Sequence, residues 1–356
     1  MKESLQRTLA ELTALDGVSG FEQHVVRYLR DAFSKLADRV EVDQMGNVYA
    51  TREGDPQGPH LMIAAHSDEI GCIVKSIDPQ GFLRFDTLGG VRPALLVGRR
   101  VKIRGHLGVA GVKSGHLQTP EEQLGVLPTD ELYIDVGADS AEEVAAMGIA
   151  VGDPVAPHSP LLSFTNSDRL CGKSIDDRIG CAIVVELFRQ LAGVPLGGTL
   201  HGVICVQEEI GFRGAKVAAY RLHPDYAVVV DTFMAGDTPD VNYYKELPAR
   251  IGRGPVLLLA HSGHVSHPAV SRYLQQAAAR CGVTLQPCTI VGKAGTDSTT
   301  IHLSRRGVPT SGIGLARRYS HSPVCTMDIK DAVGATRLLV QFVNDMAQHT
   351  DLRFLD

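Results

Sequence analysis

The chain lacks the concentrated basic face that nucleic-acid binding requires. Its 356 residues carry 35 Lys and Arg against 40 Asp and Glu, a formal net charge of −5, with no basic block and no acidic tail. Proteins that neutralise nucleic-acid phosphates gather Lys and Arg on one surface. We therefore expect no nucleic-acid partner.

Long apolar runs are also missing. No stretch approaches the roughly 20 apolar residues that span a bilayer, so a membrane-spanning helix is not expected. The first residues, MKESLQRTLAELTALDG, carry charges where a signal peptide has its apolar region, and their leucine spacing predicts an amphipathic helix. We expect no membrane partner and a cytoplasmic location.

Paired cysteine motifs are absent as well. The seven cysteines are scattered, odd in number and mostly flanked by apolar residues, and no C-x-x-C occurs. This distribution is typical of reduced thiols in a protein core and not of a disulfide framework. It agrees with a cytoplasmic location.

What the chain does contain is enough apolar sequence for a large core. Apolar residues make up 44% of the chain and charged residues 21%, which are ordinary values for a globular protein. The length suggests two domains, or one large domain with an insertion.

The order of the predicted elements favours the insertion. Helical and strand-like segments alternate near both ends of the chain, which indicates an α/β sheet covered by helices. The middle contains short strand-like runs separated by Gly and Pro, such as CIVKSI, LRFDTL and RVKIRG, a pattern typical of a small barrel or sandwich. We predict an α/β domain made of residues 1–70 plus 163–356, with a β-rich domain, residues 71–162, inserted in it.

Acidic residues and a histidine follow the predicted strands of the α/β domain. The run HLMIAA leads into His66 and then Asp68, GVICVQ leads into Glu208 and Glu209, and YAVVV leads into Asp231. Ligands of α/β sheets collect at the carboxyl ends of strands. If the adjacent glutamates remain extended, their side chains point to opposite sides and can do different jobs.

Two further candidates are Asp176, just before a predicted helix, and His321 in RRYSHSP. With His66, Asp231 and one of the two glutamates, Glu208 or Glu209, they give five N and O ligands, which suit Zn²⁺, Co²⁺ or Mn²⁺. The set contains no thiolate, which favours catalysis over a closed structural zinc, and five ligands suit two metals about 3.5–4 Å apart sharing one carboxylate. Asp68 is a candidate to hold the His66 imidazole.

Each of these residues also has a plainer interpretation. An acidic residue at a strand end is usually solvated or caps a helix, and Asp176 is well placed to cap the helix that follows it. A single histidine is more often hydrogen-bonded than metal-bound. The combination of ligand-type residues after three strands is what favours a metal site.

The same residues lie in motifs that closely resemble those of the TET-type (tetrahedral) metallo-aminopeptidases, a family that includes glutamyl and deblocking aminopeptidases and proteins once called cellulase M. The resemblance extends over nearly the whole chain, from LTALDGVSGFE to RRYSHSP. The motifs that carry it, in order, are AAHSDEIG, KSIDDRIGC, QEEIGFRGA, VVVDT with GDTP, GTDSTTIH and RRYSHSP.

The resemblance implies a zinc-peptidase-like α/β/α catalytic domain with an inserted, barrel-like dimerisation domain. It implies Asp176 as the ligand that bridges two divalent ions, Zn or Co with Mn possible. The remaining roles it implies are His66 and Asp231 on one ion, Glu209 and His321 on the other, Glu208 as general base on a metal-bridging water, and Asp68 as the orienting acid. The implied partners are short peptides with a free N-terminus and further copies of the chain, as dimers or a tetrahedral dodecamer.

Some positions stand outside this pattern. The resemblance leads us to expect Asn at position 177 and Ala at position 298, where the chain has Asp177 and Ser298. The segment AHSGHVSHP brings His261, His264 and His267 close in sequence, but Gly and Pro disfavour a regular helix there. We expect hydrogen-bonded surface histidines and not a third metal site.

Other functions remain open from the sequence. A deacylase or carboxypeptidase could use the same metal pair, since the difference lies in which end of the substrate is anchored. A glycosidase needs two carboxyl groups facing one bond and would leave the histidines without a purpose. A non-catalytic shell would have lost a ligand or the base, and none is lost.

Overall fold

The computed structural model describes residues 1–125, 127–349 and 351–355. The helices within them are α1 (Lys2–Ala14), α2 (Gln23–Phe33), α3 (Pro120–Leu124), α4 (Ala141–Ala146), α5 (Ile175–Gln190), α6 (Arg213–Leu222), α7 (Pro268–Cys281), α8 (Ser298–Ile301) and α9 (Ile329–Asn344). None of these helices has the length and apolar character needed to cross a bilayer.

Within the described ranges, the strands fall into two sheets. The smaller sheet contains β4 (Gly71–Ile77), β5 (Leu83–Leu88), β6 (Arg100–Ile103), β7 (His106–Gly111), β8 (Tyr133–Asp135) and β9 (Pro154–Pro157). The larger contains β1 (Arg39–Val42), β2 (Val48–Arg52), β3 (His60–His66), β10 (Leu162–Ser163), β11 (Arg169–Gly172), β12 (Thr199–Cys205), β13 (Tyr226–Met234), β14 (Val256–His261), β15 (His264–Val265), β16 (Gln286–Ile290), β17 (Thr310–Arg318) and β18 (Cys325–Asp328).

The larger sheet is mixed. Its main path runs β1-β2-β12-β3-β13-β17-β18-β11-β10, and β14, β15 and β16 branch from β17. The central pairs β12–β3, β3–β13 and β13–β17 are parallel. Because parallel strands share a direction, the carboxyl ends of β3, β12, β13 and β17 meet at one edge of the sheet.

Helices cover both faces of this sheet. Apolar residues of α1, α2, α5, α7 and α9 form one continuous core with the sheet, and α6 and α8 pack on a second core that includes Met62, Val203 and Val229. The central strands are buried on both faces, which explains their nearly continuous apolar sequences. The predicted α/β fold with helices on both sides of the sheet is confirmed.

The middle of the chain forms the predicted β-rich unit. The six strands that the structure describes here close into an antiparallel barrel in the order β4-β5-β8-β7-β6-β9, around a core of its own that includes Phe85, Ile103 and Ile134. The barrel strands lie between Gly71 and Pro157, and β10 already belongs to the larger sheet. The exact domain boundaries, 70/71 and 162/163, stay a prediction.

Two local predictions can be compared directly with the structure. The segment VEVDQMGNVYATREG forms the expected hairpin, in which β1 pairs antiparallel with β2. The strand before Asp231, in contrast, does not end there. It continues to Met234 because residues 231–234 keep their parallel pairing with β17, so Asp231 projects from within a strand.

Candidate active site

The predicted site residues come together at the shared edge of the central strands. His66 ends β3, Glu208 and Glu209 follow β12, and Asp231 lies on β13. Asp176 comes from the start of α5, and His321 from the loop between β17 and β18. These side chains line a cavity of about 680 Å³, which also receives residues of the inserted barrel region, Gly90 and Arg92 among them.

One group of ligand-type atoms surrounds the imidazole of His66. Its Nε2 atom lies 3.5 Å from Asp176 Oδ1, 3.8 Å from Asp231 Oδ1 and 3.9 Å from Glu208 Oε2. His66, Asp176 and Asp231 are almost completely buried. Within the described chain, the His66, Glu208 and Asp231 atoms lie within 4.8 Å of one another and could hold a metal ion.

A second group lies on the other side of Asp176. His321 Nε2 is 3.4 Å from Asp176 Oδ2 and 3.4 Å from Glu209 Oε2. His321 Nδ1 lies 3.3 Å from the carbonyl oxygen of Gly90. When Nδ1 donates to that carbonyl, Nε2 is left unprotonated and faces the two carboxylates, which is the tautomer that a metal ligand needs.

The adjacent glutamates reach different imidazoles, but not by the route that the sequence suggested. β12 ends at Cys205, and Gln207 has a φ of 56°, so the chain turns and neither glutamate continues the strand. The premise that both residues remain extended is therefore wrong. The turn directs Glu208 toward His66 and Glu209 toward His321, so the two carboxylates still occupy separate positions.

Asp68 holds this turn in place and also lies beside His66. Its Oδ1 accepts the backbone N–H of Glu208 at 2.9 Å, and its Oδ2 accepts that of Glu209 at 3.1 Å and the hydroxyl of Ser19 at 2.6 Å. Asp68 Oδ1 is also 3.3 Å from His66 Nδ1, although that nitrogen makes no well-aligned hydrogen bond within the described residues. The sequence predicted the contact with His66 but not the contacts with the glutamate backbone.

The electrostatics show an excess of negative charge. Burial and the nearby Asp176 carboxylate raise the pKa of Glu209 to about 7. Burial also raises the pKa of Glu208 and that of Asp231 well above their ordinary values, and neighbouring carboxylates add to both shifts. For His66, burial opposes protonation, but Glu208, Asp176 and other carboxylates outweigh it and raise its pKa.

These observations fit a site for divalent cations. Four buried carboxylates within a few ångströms repel one another unless a positive charge lies among them. The donor set is entirely N and O, and the two clusters meet at the two oxygens of Asp176. Asp176 is not a helix cap, because its side chain faces the two histidines and accepts the Thr232 hydroxyl at 2.7 Å.

One residue near Asp176 was missed by sequence reasoning. Arg317, at the end of β17, is 6% exposed, lines the cavity and donates through Nη2 to Asp176 Oδ2 and through Nε to Thr232 Oγ1. The parallel pairing of β13 with β17 brings Arg317 beside Thr232 and Asp176. The Arg pair in LARRYSHSP was the available signal, but it does not reveal which of the two arginines points inward.

The residues outside the family pattern are buried. Asp177 is fully buried and accepts the backbone N–H of Gly180 at 3.0 Å. Ser298 Oγ lies 2.7 Å from His261 Nε2 and 3.0 Å from His264 Nδ1. His261 and His264 are therefore hydrogen-bonded, as expected, but they are buried and not on the surface.

His267 lies apart from these two histidines, at the start of α7. Among the residues that the structure describes, no metal-binding group includes any of the three.

The fold and the clustered carboxylates and histidines are those of a metal-dependent peptidase. Comparison with known sequences places the chain in the same class. The pattern of the M42 glutamyl aminopeptidase family matches residues 46–338. The glutamyl aminopeptidase of Lactococcus lactis subsp. cremoris is 32% identical over 94% of this chain and 94% of its own length. The lysyl aminopeptidase of Pyrococcus furiosus is 32% identical over 93% of this chain and 94% of its own length.

Solved structures give the same answer. The TET aminopeptidase from the marine sediment archaeon Thaumarchaeota archaeon SCGC AB-539-E09 superposes with a TM-score of 0.92 at 32% identity, covering 97% of this chain and 98% of its own. The TET1 peptidase of Pyrococcus horikoshii superposes with a TM-score of 0.84 at 28% identity, covering 95% of this chain and 99% of its own. The chain belongs to the M42 glutamyl aminopeptidase family and is a hydrolase, a metallo-aminopeptidase.

Proposed function

We propose that the chain is a dinuclear-metal aminopeptidase that removes single residues from the free N-terminus of short peptides. The observation that carries this proposal is the convergence of His66 and His321 on opposite oxygens of one buried carboxylate, Asp176. One ion position then lies among His66, Asp176 and Asp231, and the other among Asp176, Glu209 and His321.

Two divalent ions, Zn²⁺ or Co²⁺ with Mn²⁺ as a further candidate, supply Lewis acidity and a water of lowered pKa when they are bound there. The chain's own residues do the rest. Asp176 holds both positions together, and Asp68 holds the backbone of both glutamates and lies beside His66 Nδ1. Glu208 is the general base, which takes a proton from the attacking water and returns it to the leaving amine.

Glu208 suits this role better than Glu209. Both glutamates line the cavity, but Glu209 Oε2 is 3.4 Å from His321 Nε2, whereas Glu208 Oε2 is 3.9 Å from His66 Nε2 and is the less closely engaged of the two. Burial raises the Glu208 pKa in the absence of cations. Positive charge nearby lowers a carboxylate pKa and brings such a base toward neutral pH.

The cavity also supports a preference among N-terminal residues. Apart from the proposed ligands and base, the charged residues that line it within the described chain are Arg92, Lys293 and Arg317. All three are cationic. Within the described chain, Arg92 and Lys293 form no ion pair with an acidic side chain. Relatives of this chain include both a glutamyl and a lysyl aminopeptidase. We propose that this cavity favours an acidic side chain.

We further propose a cytoplasmic homo-oligomer built from dimers through the inserted barrel. The related TET1 peptidase of Pyrococcus horikoshii can assemble into a tetrahedron or a large octahedral shell. A closed assembly of that kind would restrict the active sites to short peptides. A tetrahedral dodecamer is the assembly we propose for this chain.

The function is tested with a panel of aminoacyl anilides on metal-stripped and metal-restored protein. Turnover should disappear on stripping, return with Zn²⁺ or Co²⁺, and be highest for the glutamyl substrate. Lys293→Gln should lower kcat/KM for the glutamyl anilide by about 10-fold and leave the leucyl anilide nearly unchanged, because only the former loses a charge partner.

The same panel separates the alternatives. Cleavage of N-blocked substrates in preference to free ones would favour a deacylase, and release of C-terminal residues would favour a carboxypeptidase. Cleavage of a β-glucan that survives chelation would favour a glycosidase. Equal rates for glutamyl and lysyl anilides would contradict the acidic preference and leave the aminopeptidase activity standing.

A further inference from the structure

Arg317 places a fixed positive charge inside the cluster of proposed metal ligands. The residue is 6% exposed, and its guanidinium donates to Asp176 Oδ2 and to Thr232 Oγ1. Its remaining nitrogen, Nη1, is buried and has no partner among the described residues. An arginine keeps its charge at every pH at which proteins are folded, so this cation is permanent.

The two oxygens of Asp176 consequently face different surroundings. Oδ1 is 3.5 Å from His66 Nε2 and accepts the neutral hydroxyl of Thr232. Oδ2 is 3.4 Å from His321 Nε2 and accepts the charged guanidinium of Arg317. A cation at the His321 side must therefore share its carboxylate oxygen with a positive charge, whereas a cation at the His66 side does not.

We infer that Arg317 makes the two cation positions unequal. The position at His66 and Asp231 binds a divalent ion tightly, and the position at Glu209 and His321 binds one weakly. When the weaker position is empty, Arg317 supplies the positive charge that Asp176 needs. This inference rests on the ligand assignment in the proposed function and adds to it an order of filling.

The adjacent arginine provides a matched control. Arg318 has the same side chain one residue later, but it makes two hydrogen bonds of 2.8 Å to Asp237 and contacts none of the proposed ligands. Arg317→Met and Arg318→Met each remove one guanidinium and keep a flexible apolar stem. Arg317→Lys keeps the charge and removes the planar fork.

The experiment is a titration of the metal-stripped full-length chain with Co²⁺, followed by visible absorption of the bound ion and by calorimetry. The unsubstituted protein should bind in two steps with dissociation constants about 100-fold apart, because a fixed charge a few ångströms away opposes the second ion. Arg317→Met should tighten the weaker step, so that the ratio of the two dissociation constants falls by about 10-fold or more. Arg318→Met and Arg317→Lys should keep the wide gap.

A further variant identifies the weaker position. His321→Ala should abolish the weaker step and leave the tighter one. The inference would be overturned if the unsubstituted protein bound two ions with equal dissociation constants. It would also be overturned if Arg317→Met left the ratio of the two dissociation constants unchanged, or if His321→Ala lost the tighter step. Failure of the unsubstituted protein to bind Co²⁺ at all would instead refute the proposed function. Circular dichroism of each variant confirms that it is folded before its titration is interpreted.

Discussion

At the scale of single residues, the adjacent glutamates show how one turn divides two identical side chains between two positions. After β12 ends, the left-handed conformation at Gln207 turns the chain, and Asp68 then holds both glutamate N–H groups. The carboxylates diverge toward His66 and His321. The different roles that we propose for them therefore depend on backbone geometry and on Asp68 as much as on the glutamates themselves.

Replacing the proposed base tests this division. We expect Glu208→Gln to lower kcat by about 100-fold or more, because the amide cannot accept the proton of the attacking water. Metal content, measured by plasma mass spectrometry, should stay the same, since Glu208 is not one of the proposed ligands. Glu209→Gln is the comparison, and it should lose metal as well as activity.

Retention of full turnover by Glu208→Gln would show that the base lies elsewhere. Loss of metal in that variant would show that Glu208 is a ligand, which its place in the group with His66 and Asp231 allows.

Much of the site could be predicted from the sequence because its residues follow strands. His66 and the two glutamates come directly after apolar runs, and parallel strands gather their carboxyl ends at one edge. Arg317 and Thr232 could not be assigned in this way, because their contacts with Asp176 depend on the register between β13 and β17. Ser298 and His261 likewise meet only in three dimensions.

At the scale of elements, the start of α5 depends on one fully buried arginine. Arg178 donates to the carbonyl oxygens of Leu12 and Ser67, each at 2.6 Å, and also to that of Leu15. It therefore joins α5 to the end of α1 and to the segment after β3 that carries Asp68. Neither the helical pattern nor the composition of this segment predicts such a link.

Removing that link should be costly for stability. We expect Arg178→Met to lower the free energy of unfolding by about 3 kcal/mol or more, because several buried carbonyl groups lose their donor. Urea denaturation followed by circular dichroism measures the change. Arg30→Met, at an exposed position of α2 where the arginine pairs with the exposed Asp31, is the control and should cost about 1 kcal/mol or less. Similar losses in the two variants would argue against the proposed importance of the buried contacts.

The strands of the barrel could be predicted from the sequence more readily than the way they pair. Its short strands were recognisable from their alternation and their Gly and Pro separators, since one face of each strand packs on a common core. The strand pattern alone left a barrel and a sandwich open, because the pairings β5–β8 and β4–β9 join strands that are distant in sequence, and the family resemblance was what implied the barrel.

At the scale of the whole molecule, the barrel carries exposed apolar side chains. Leu107 and Val109 are two residues apart on β7, so they point to the same outer face, and they are 53% and 41% exposed. Such a pair on a barrel is a candidate contact for a second copy of the chain.

We expect Leu107→Glu to lower the mass of the proposed assembly measured by light scattering, because a buried charge at a subunit contact is unfavourable. Val217→Glu, at a 40% exposed position on α6 outside the barrel, is the control. An unchanged mass for Leu107→Glu would place the contact elsewhere.

Buried histidines should make the fold sensitive to acid. Burial lowers the pKa of His201 and of His349 to about 4, and burial with neighbouring histidines lowers that of His264 to about 3. An unfolded chain takes up these protons below about pH 6.5, whereas the folded chain does not, so acidification from there to about pH 4 favours unfolding.

The contribution of one histidine can be isolated. A 2.9 Å hydrogen bond joins His349 Nδ1 to the hydroxyl of Tyr226, and the imidazole stacks on the ring of Tyr273. We expect His349→Gln to lose less stability than the unsubstituted protein between about pH 7 and about pH 5, measured as the shift of the urea midpoint. Parallel shifts in the two proteins would contradict the assignment, whatever the absolute stability of the variant.

The contact between Gly90 and His321 has a consequence for attempts to shorten the chain. A side chain at position 90 would begin 2.4 Å from His321 Nδ1, so the barrel region touches the imidazole itself. Splicing residue 70 to residue 163 would remove both this contact and Arg92 from the cavity wall. We therefore expect a chain without the insertion to lack part of its cavity wall and the Gly90 contact with His321, so a different barrel put in its place would need to keep Gly90 and Arg92.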